Sequence, residues 1–142
     1  MKKNSSGQTL VEVVVAIGVV VLLVTGLIVA TSVTLKASQY GKMRSLGTQY
    51  AQEAIEAARN LRDSGWSTFL LYGGTSQCLD KTGNWTPMSV SCPYDIDSIY
   101  SRTVMYTWDA LNSRMNVDVA VTWVDGAKTY SSTLSTYLTQ WK

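Results

Sequence analysis

Gly7-Gln8-Thr9-Leu10-Val11-Glu12, followed by the uncharged run Val13 to Ala30 (VVVAIGVVVLLVTGLIVA), decides the architecture of this chain. As a helix those eighteen residues cover about 27 Å, close to the hydrocarbon thickness of a bilayer. So apolar a run does not belong in the water-soluble core of a 142-residue chain. It predicts one membrane span, just long enough. After Ala30 the composition turns to Ser, Thr, Tyr, Gln and scattered charges with no second apolar run, which puts the rest on one side of the membrane.

Working outward, Met1 to Gly7 form a short, basic, Ser-containing leader, and no Pro interrupts Gln8 to Asp63. A single helix over that stretch would reach about 84 Å. In its second part Met43, Leu46, Tyr50, Ala54, Ala57 and Leu61 recur at spacings of three and four, an apolar stripe that needs a partner. Glu56 with Arg59, and Arg59 with Asp63, are expected as helical ion pairs, and Ser64-Gly65 supplies a stop.

Trp66 to Tyr94 reads as a loop-rich region with one short strand near Phe69 to Tyr72, because Gly73-Gly74, Lys81-Thr82-Gly83-Asn84 and Pro87 are turn chemistry. Beyond it the period becomes two. Val117, Val119, Val121 and Trp123 share one strand face, Asp125-Gly126 favours a tight hairpin turn, and Tyr130 to Leu138 is the return strand. With an earlier strand at Ser101 to Trp108, the expected fold is α+β: a long N-terminal helix whose amphipathic half packs on a C-terminal antiparallel sheet of three or more strands. The expected divisions are a leader (1–7), a membrane and polymerisation segment (8–33) and an extracytoplasmic domain (34–142).

Twelve Lys and Arg stand against ten Asp and Glu. That balance gives no footprint for nucleic acid. Lys36, Lys42 and Arg44 follow the span, whereas six Asp residues dominate the distal part, an asymmetry that complementary neighbours would suit. Lys2 and Lys3 against Lys36, Lys42 and Arg44 leave the positive-inside count undecided. With no His, neither a catalytic constellation nor a metal or other cofactor site is expected, and Asp95-x-Asp97 reads as a solvated loop in preference to a calcium site. A bridge between Cys78 and Cys92 would close a fifteen-residue loop, worth about 3 kcal/mol in an oxidising compartment. The competing reading, two unrelated thiols or half of a zinc shell, is weaker because two Cys alone do not complete one.

The segment Gly7-Gln8-Thr9-Leu10-Val11-Glu12-Val13, behind a basic leader, resembles the class III signal of type IV prepilins and pseudopilins. Ala54 to Asp63 with Trp66 resembles the helix end of minor-pilin-like sequences, and Val119 to Trp123 with Leu134 to Leu138 their terminal sheet. The resemblance implies cleavage by a prepilin peptidase between Gly7 and Gln8 on the cytoplasmic side, and methylation of the new amino terminus at Gln8. It also implies a cytoplasmic N-terminus, an extracytoplasmic domain, and incorporation through inner-membrane assembly machinery into an extracellular filament of pilin subunits. Glu12, fifth residue after the cut, is then the assembly residue that meets a neighbour's amino terminus. Cutting removes Lys2 and Lys3, leaving ten basic against ten acidic residues (12 − 2 = 10). Gln8 stands where many members carry Phe, so the terminus is either methylated or cyclised. Where many members carry a Pro within the apolar helix, this chain offers only Gly18 and Gly26 as weak points.

Other readings stay beside this one. Thr9-x-x-Glu12 is also a capping box, which accounts for Glu12 without a filament but not for Gly7 or the basic leader. Within the family, a major pilin, a minor pilin, a type II secretion pseudopilin, a DNA-uptake pilin and a tip adhesin are all open. The adhesin reading rests on Trp66, Trp85, Tyr72 and Tyr94, which either bind a ligand or simply pack the small domain.

Overall fold

The computed structural model describes residues 6–140, and the chain divides into two compact units, residues 1–42 and 43–142. The leader residues 1–5 lie outside the described residues. Helix α1 (Ser6–Ser64) is continuous over 59 residues and is the only element among the described residues of the first unit. Its Val-rich start would favour a strand in water. In hydrocarbon a lone strand leaves its backbone unpaired, whereas a helix satisfies every N–H and C=O internally. The hydroxyls of Thr25, Ser32 and Thr34 donate to carbonyls four residues back, at 2.8, 2.8 and 2.9 Å, so these polar side chains also need no outside partner.

The second unit holds the rest of α1, a short helix α2 (Trp66–Leu70), and strands β1 (Ser76–Leu79), β2 (Trp85–Pro87), β3 (Tyr100–Asp109), β4 (Arg114–Asp125) and β5 (Lys128–Thr139). These form one antiparallel sheet in the order β2-β1-β3-β4-β5. Strict alternation along β4 buries Met115, Val117, Val119, Val121 and Trp123 on the helix side. Gly126, at φ 63°, closes the two-residue β4–β5 turn by adopting the left-handed conformation that an L side chain resists. The long helix on an antiparallel sheet is the α+β arrangement expected above.

Details of the packing differ from the sequence reading. The buried face of α1 is Tyr50, Ala51, Ala54, Ile55 and Ala58, while Met43, Leu46, Ala57 and Leu61 flank it half-covered. The stripe is therefore rotated toward the small residues, which let the helix backbone come close to the sheet. At Gly47 an added Cβ would lie 2.8 Å from Cζ3 of Trp123. Asp63 is paired by Arg62 at 2.7 Å, and Arg59 pairs with Glu56.

The strand expected near Phe69 to Tyr72 is not there. Residues 66–70 form α2, which drops Phe69 into the core, and the chain joins the sheet only after Gly73-Gly74. There Gly74 N–H donates to Tyr106 O at 2.8 Å and Tyr106 N–H to Thr75 O at 3.0 Å. The turn-rich stretch then supplies β1 and β2. Cys78 and Cys92 are disulfide-bonded, with Cα atoms 5.4 Å apart. Cys78 registers with Thr103, on the sheet face opposite α1, so the bridge ties the following segment over that outer face. Ser101 donates to Cys92 O at 3.0 Å beside it.

Candidate functional site

From Leu10 to Leu35 every large hydrophobic side chain of α1 is exposed, from 49 % at Val24 to 75 % at Leu22. Apolar surface on all sides of a helix means that something outside the chain covers it. This helix is long and apolar enough to cross a membrane, with a mean hydropathy of 3.1 in its most apolar window. Within Leu10 to Leu35 the hydroxyls of Thr25, Thr31, Ser32 and Thr34 bond back to the helix. Glu12 is exposed and has no hydrogen-bond or ion-pair partner among the described residues. It lies four residues after Gln8, about 6 Å along the axis and on the same helix face. Gly7 and Gln8 belong to the first turn of α1; the side chains of residues 6–9 lie outside the described ones. Because α1 already begins at Ser6, Thr9 does not occupy the cap position that the capping-box reading needs.

Several carboxylates of the second unit are partnered within the chain. Asp97 accepts from the Tyr50 hydroxyl and from Lys81 Nζ. Lys81 and Tyr50 together hold the Asp97 carboxyl below its usual range. The Tyr50 phenol is pushed up to about 12, first by that hydrogen bond and then by burial. Among the described residues no group of three or more His, Cys, Asp or Glu side chains could hold a metal ion. Asp80 is held at about 2 by hydrogen bonds from Asn84 and Thr82, which shape its own turn.

The structure separates the four aromatics singled out in the sequence. Trp66, Tyr72 and Trp85 pack against the core, with Tyr72 and Trp85 at 5.5 and 6.0 Å from the Tyr106 ring, while Tyr94 is exposed. Packing therefore accounts for Tyr72 and Trp85, while Trp66 packs on one side and lines an open cavity on the other.

Arg102 was missed by the sequence reading. It is only 4 % exposed and donates to the carbonyls of Leu79, Tyr50 and Asp80 at 3.1, 2.9 and 2.6 Å, with Glu53 at 3.6 Å. One side chain thus joins α1, β1 and β3. Burial lowers its basicity, with Glu53 opposing that shift. The signal was present, since Arg102 alternates with Tyr100, Val104 and Tyr106 on the inward face of β3.

Residues 2–28 match the family described as the prokaryotic N-terminal methylation motif, which is the class III signal. The match covers the Gly7–Gln8 junction, Glu12 and most of the apolar run. No curated protein and no solved structure gives a significant match to the chain.

Proposed function

We propose that this chain, which carries the class III signal of type IV pilins on a long N-terminal helix with a C-terminal sheet, is a structural subunit of a type IV pilus or a related filament. The observation that carries the reading is the pairing of that signal with a fully exposed apolar helix holding a single carboxylate, Glu12. A prepilin peptidase would cut between Gly7 and Gln8 on the cytoplasmic side and methylate the Gln8 terminus. The helix would then hold the chain in the cytoplasmic membrane, with residues 34–142 outside, until assembly machinery draws it into the filament. This role needs no cofactor and no catalysis by the chain itself.

Electrostatics gives the cut a purpose. An acidic residue at the centre of a membrane helix costs about 3 kcal/mol, and one nearer the interface less, so Glu12 favours any state that neutralises it. Cleavage creates an amino-terminal cation, and a neighbouring subunit shifted along the helix axis can present it to Glu12 in an apolar bundle. Removing one partner of such a buried pair costs about 3–5 kcal/mol, enough to set register. Large Val and Leu side chains on all faces of α1 would pack against neighbouring helices as readily as against lipid.

The test is Glu12→Leu in cells that make the filament. The variant should insert in the membrane and yield a chain beginning at Gln8 by mass spectrometry, yet be missing from sheared filaments. Normal incorporation would remove Glu12 from its role, and a chain retaining Met1 beside an active peptidase would overturn the cleavage.

A further inference from the structure

At the end of the β3–β4 hairpin, against α2, lies a cavity of about 680 Å³ whose lining side chains are all uncharged. Two of its walls are indoles. Trp66 and Trp108 stand with ring centroids 6.1 Å apart and planes at 67°, so they form a corner. Trp66 is braced from behind by the fully buried Phe69 at 5.7 Å, whereas Trp108 keeps 38 % of its surface open. Leu70 adds to the apolar wall, and the rest of the rim is polar: Asn112, Ser113, Thr139 and Gln140.

The hairpin turn is ordered before any ligand arrives. Asp109 accepts from Asn112 Nδ2 at 2.7 Å, from Asn112 N–H at 3.2 Å and from Arg114 Nε at 2.9 Å. That arrangement fixes the Asn112 side chain and leaves its Oδ1 as an acceptor. It also pairs the Asp109 and Arg114 charges of the turn with each other. Ser113, at φ 49°, completes the turn in the left-handed region.

The combination selects a ligand chemistry. A charged ligand finds no counter-charge in the lining. A purely aliphatic one would fill the indole corner but strip water from amide and hydroxyl groups without replacing their bonds. A pyranose ring has both parts required, an apolar C–H face to lie against an indole and hydroxyls at its edge for amides and hydroxyls. The volume is in the range of small-ligand sites. We infer that the Trp66–Trp108 corner is a binding subsite for a neutral saccharide. The subsite lies wholly within residues 43–142 and is independent of polymerisation, so its failure and that of the filament reading are separable.

The test uses the full chain in a zwitterionic detergent without a sugar headgroup. Methyl glycosides of glucose, galactose, mannose and N-acetylglucosamine, and their β-linked disaccharides, are titrated by tryptophan fluorescence and saturation-transfer NMR. At least one should saturate in the millimolar range. Trp108→Ala should weaken it by about tenfold or more, Asn112→Ala by about fivefold, and Trp108→Phe by less than about threefold. Tyr94→Ala, at an exposed aromatic outside the cavity, should bind as the parent does. Trp108→Phe keeps the test valid if the alanine variant misfolds by circular dichroism. The inference is overturned if no neutral saccharide saturates by about 50 mM. It is equally overturned if only sialylated or sulfated sugars bind, or if Trp108→Ala binds unchanged. Loss of filament incorporation in Trp108→Ala without any sugar binding would make the corner a contact between copies instead.

Discussion

Removing Arg102 separates two accounts of how α1 is held to the sheet. The guanidinium has a carboxylate partner, Glu53, and three carbonyl partners, and their geometries differ. Glu53 is half exposed and 3.6 Å away, the setting in which an ion pair contributes about 0–1 kcal/mol. The carbonyls of Leu79 and Asp80 are bonded at 3.1 and 2.6 Å by a side chain that is 4 % exposed. Each loses a charged donor in Arg102→Ala, at about 1–3 kcal/mol for Leu79 O and less for Asp80 O, which keeps the 3.3 Å bond from Gly83 N–H. Tyr50 O is not counted, because it lies mid-helix and keeps its intrahelical bond. Relief of the buried charge offsets part of the loss. The net expectation is about 2 kcal/mol for Arg102→Ala and under about 1 kcal/mol for Glu53→Ala, with a coupling between them below about 1 kcal/mol. For a unit of this size, about 2 kcal/mol corresponds to a fall in Tm of about 8–16 °C. Tryptophan fluorescence of the detergent-solubilised chain during thermal and urea unfolding reads this directly, because Trp123 sits at the helix–sheet contact. A coupling above about 2 kcal/mol would show that the ion pair carries the joint. An Arg102→Ala cost below about 1 kcal/mol would show that the carbonyl bonds count for nothing.

Three further perturbations test other parts of the fold. Gly47→Ala improves helix propensity by about 1 kcal/mol but drives a methyl to 2.8 Å from the buried Trp123 ring, so a net loss of about 1–2 kcal/mol is expected; a raised Tm would mean the ring yields freely. Reducing Cys78–Cys92 should lower stability by about 3 kcal/mol through the freed loop, and identical melts with and without dithiothreitol would refute that. Tyr50, raised from 10.0 to about 12, contributes stability that is complete below pH 10 and fades as pH climbs through about 12. Tyr50→Phe should therefore be less stable at neutral pH but lose less between pH 10 and 12; parallel curves would show that Asp97 does not favour the neutral phenol. The comparison must be between variants, since Tyr100 and Tyr106 are also pushed up by burial and titrate with the same sign.

The helix, the β4–β5 hairpin and the inward face of β4 were legible because each is a local pattern: an unbroken apolar run, an Asp-Gly turn and a period of two. What stayed hidden depends on partners distant in sequence. Ser76 to Leu79 is too short to declare itself and becomes a strand because β3 offers it an edge. Phe69 to Tyr72 has strand-like residue types, yet Gly65 and Gly73-Gly74 bracket it so closely that one helical turn with Phe69 inward buries more. In the candidate assembly segment, Gly7, Gln8 and Glu12 were singled out by resemblance to the class III signal and not by a physical pattern such as period or turn chemistry. The Trp66–Trp108 corner could be read from neither, since its two indoles are 42 residues apart in the chain and meet only through the hairpin.

Along α1 two different solvents are written into one helix by side-chain size. Leu10 to Leu35 carries bulky Val, Leu and Ile on every face, which maximises apolar area where hydrocarbon or other helices do the covering. The later stretch reduces its buried face to Gly47, Ala51, Ala54 and Ala58, which bury little area themselves but bring the backbone close enough for Trp123, Tyr100 and the β4 valines to fill the contact. Exchanging the two would fail in both places. A Leu at Ala54 would overpack a fully buried position, at about 1–3 kcal/mol, and an alanine-rich span would give up most of the area that favours leaving water. Glu12 fits neither pattern, being the one charged side chain between Leu10 and Leu35 and, unlike the hydroxyls that bond back to the helix, without a partner among the described residues. In the proposed filament, such a residue, exposed and without a partner among the described residues, would find its partner in the next copy of the chain.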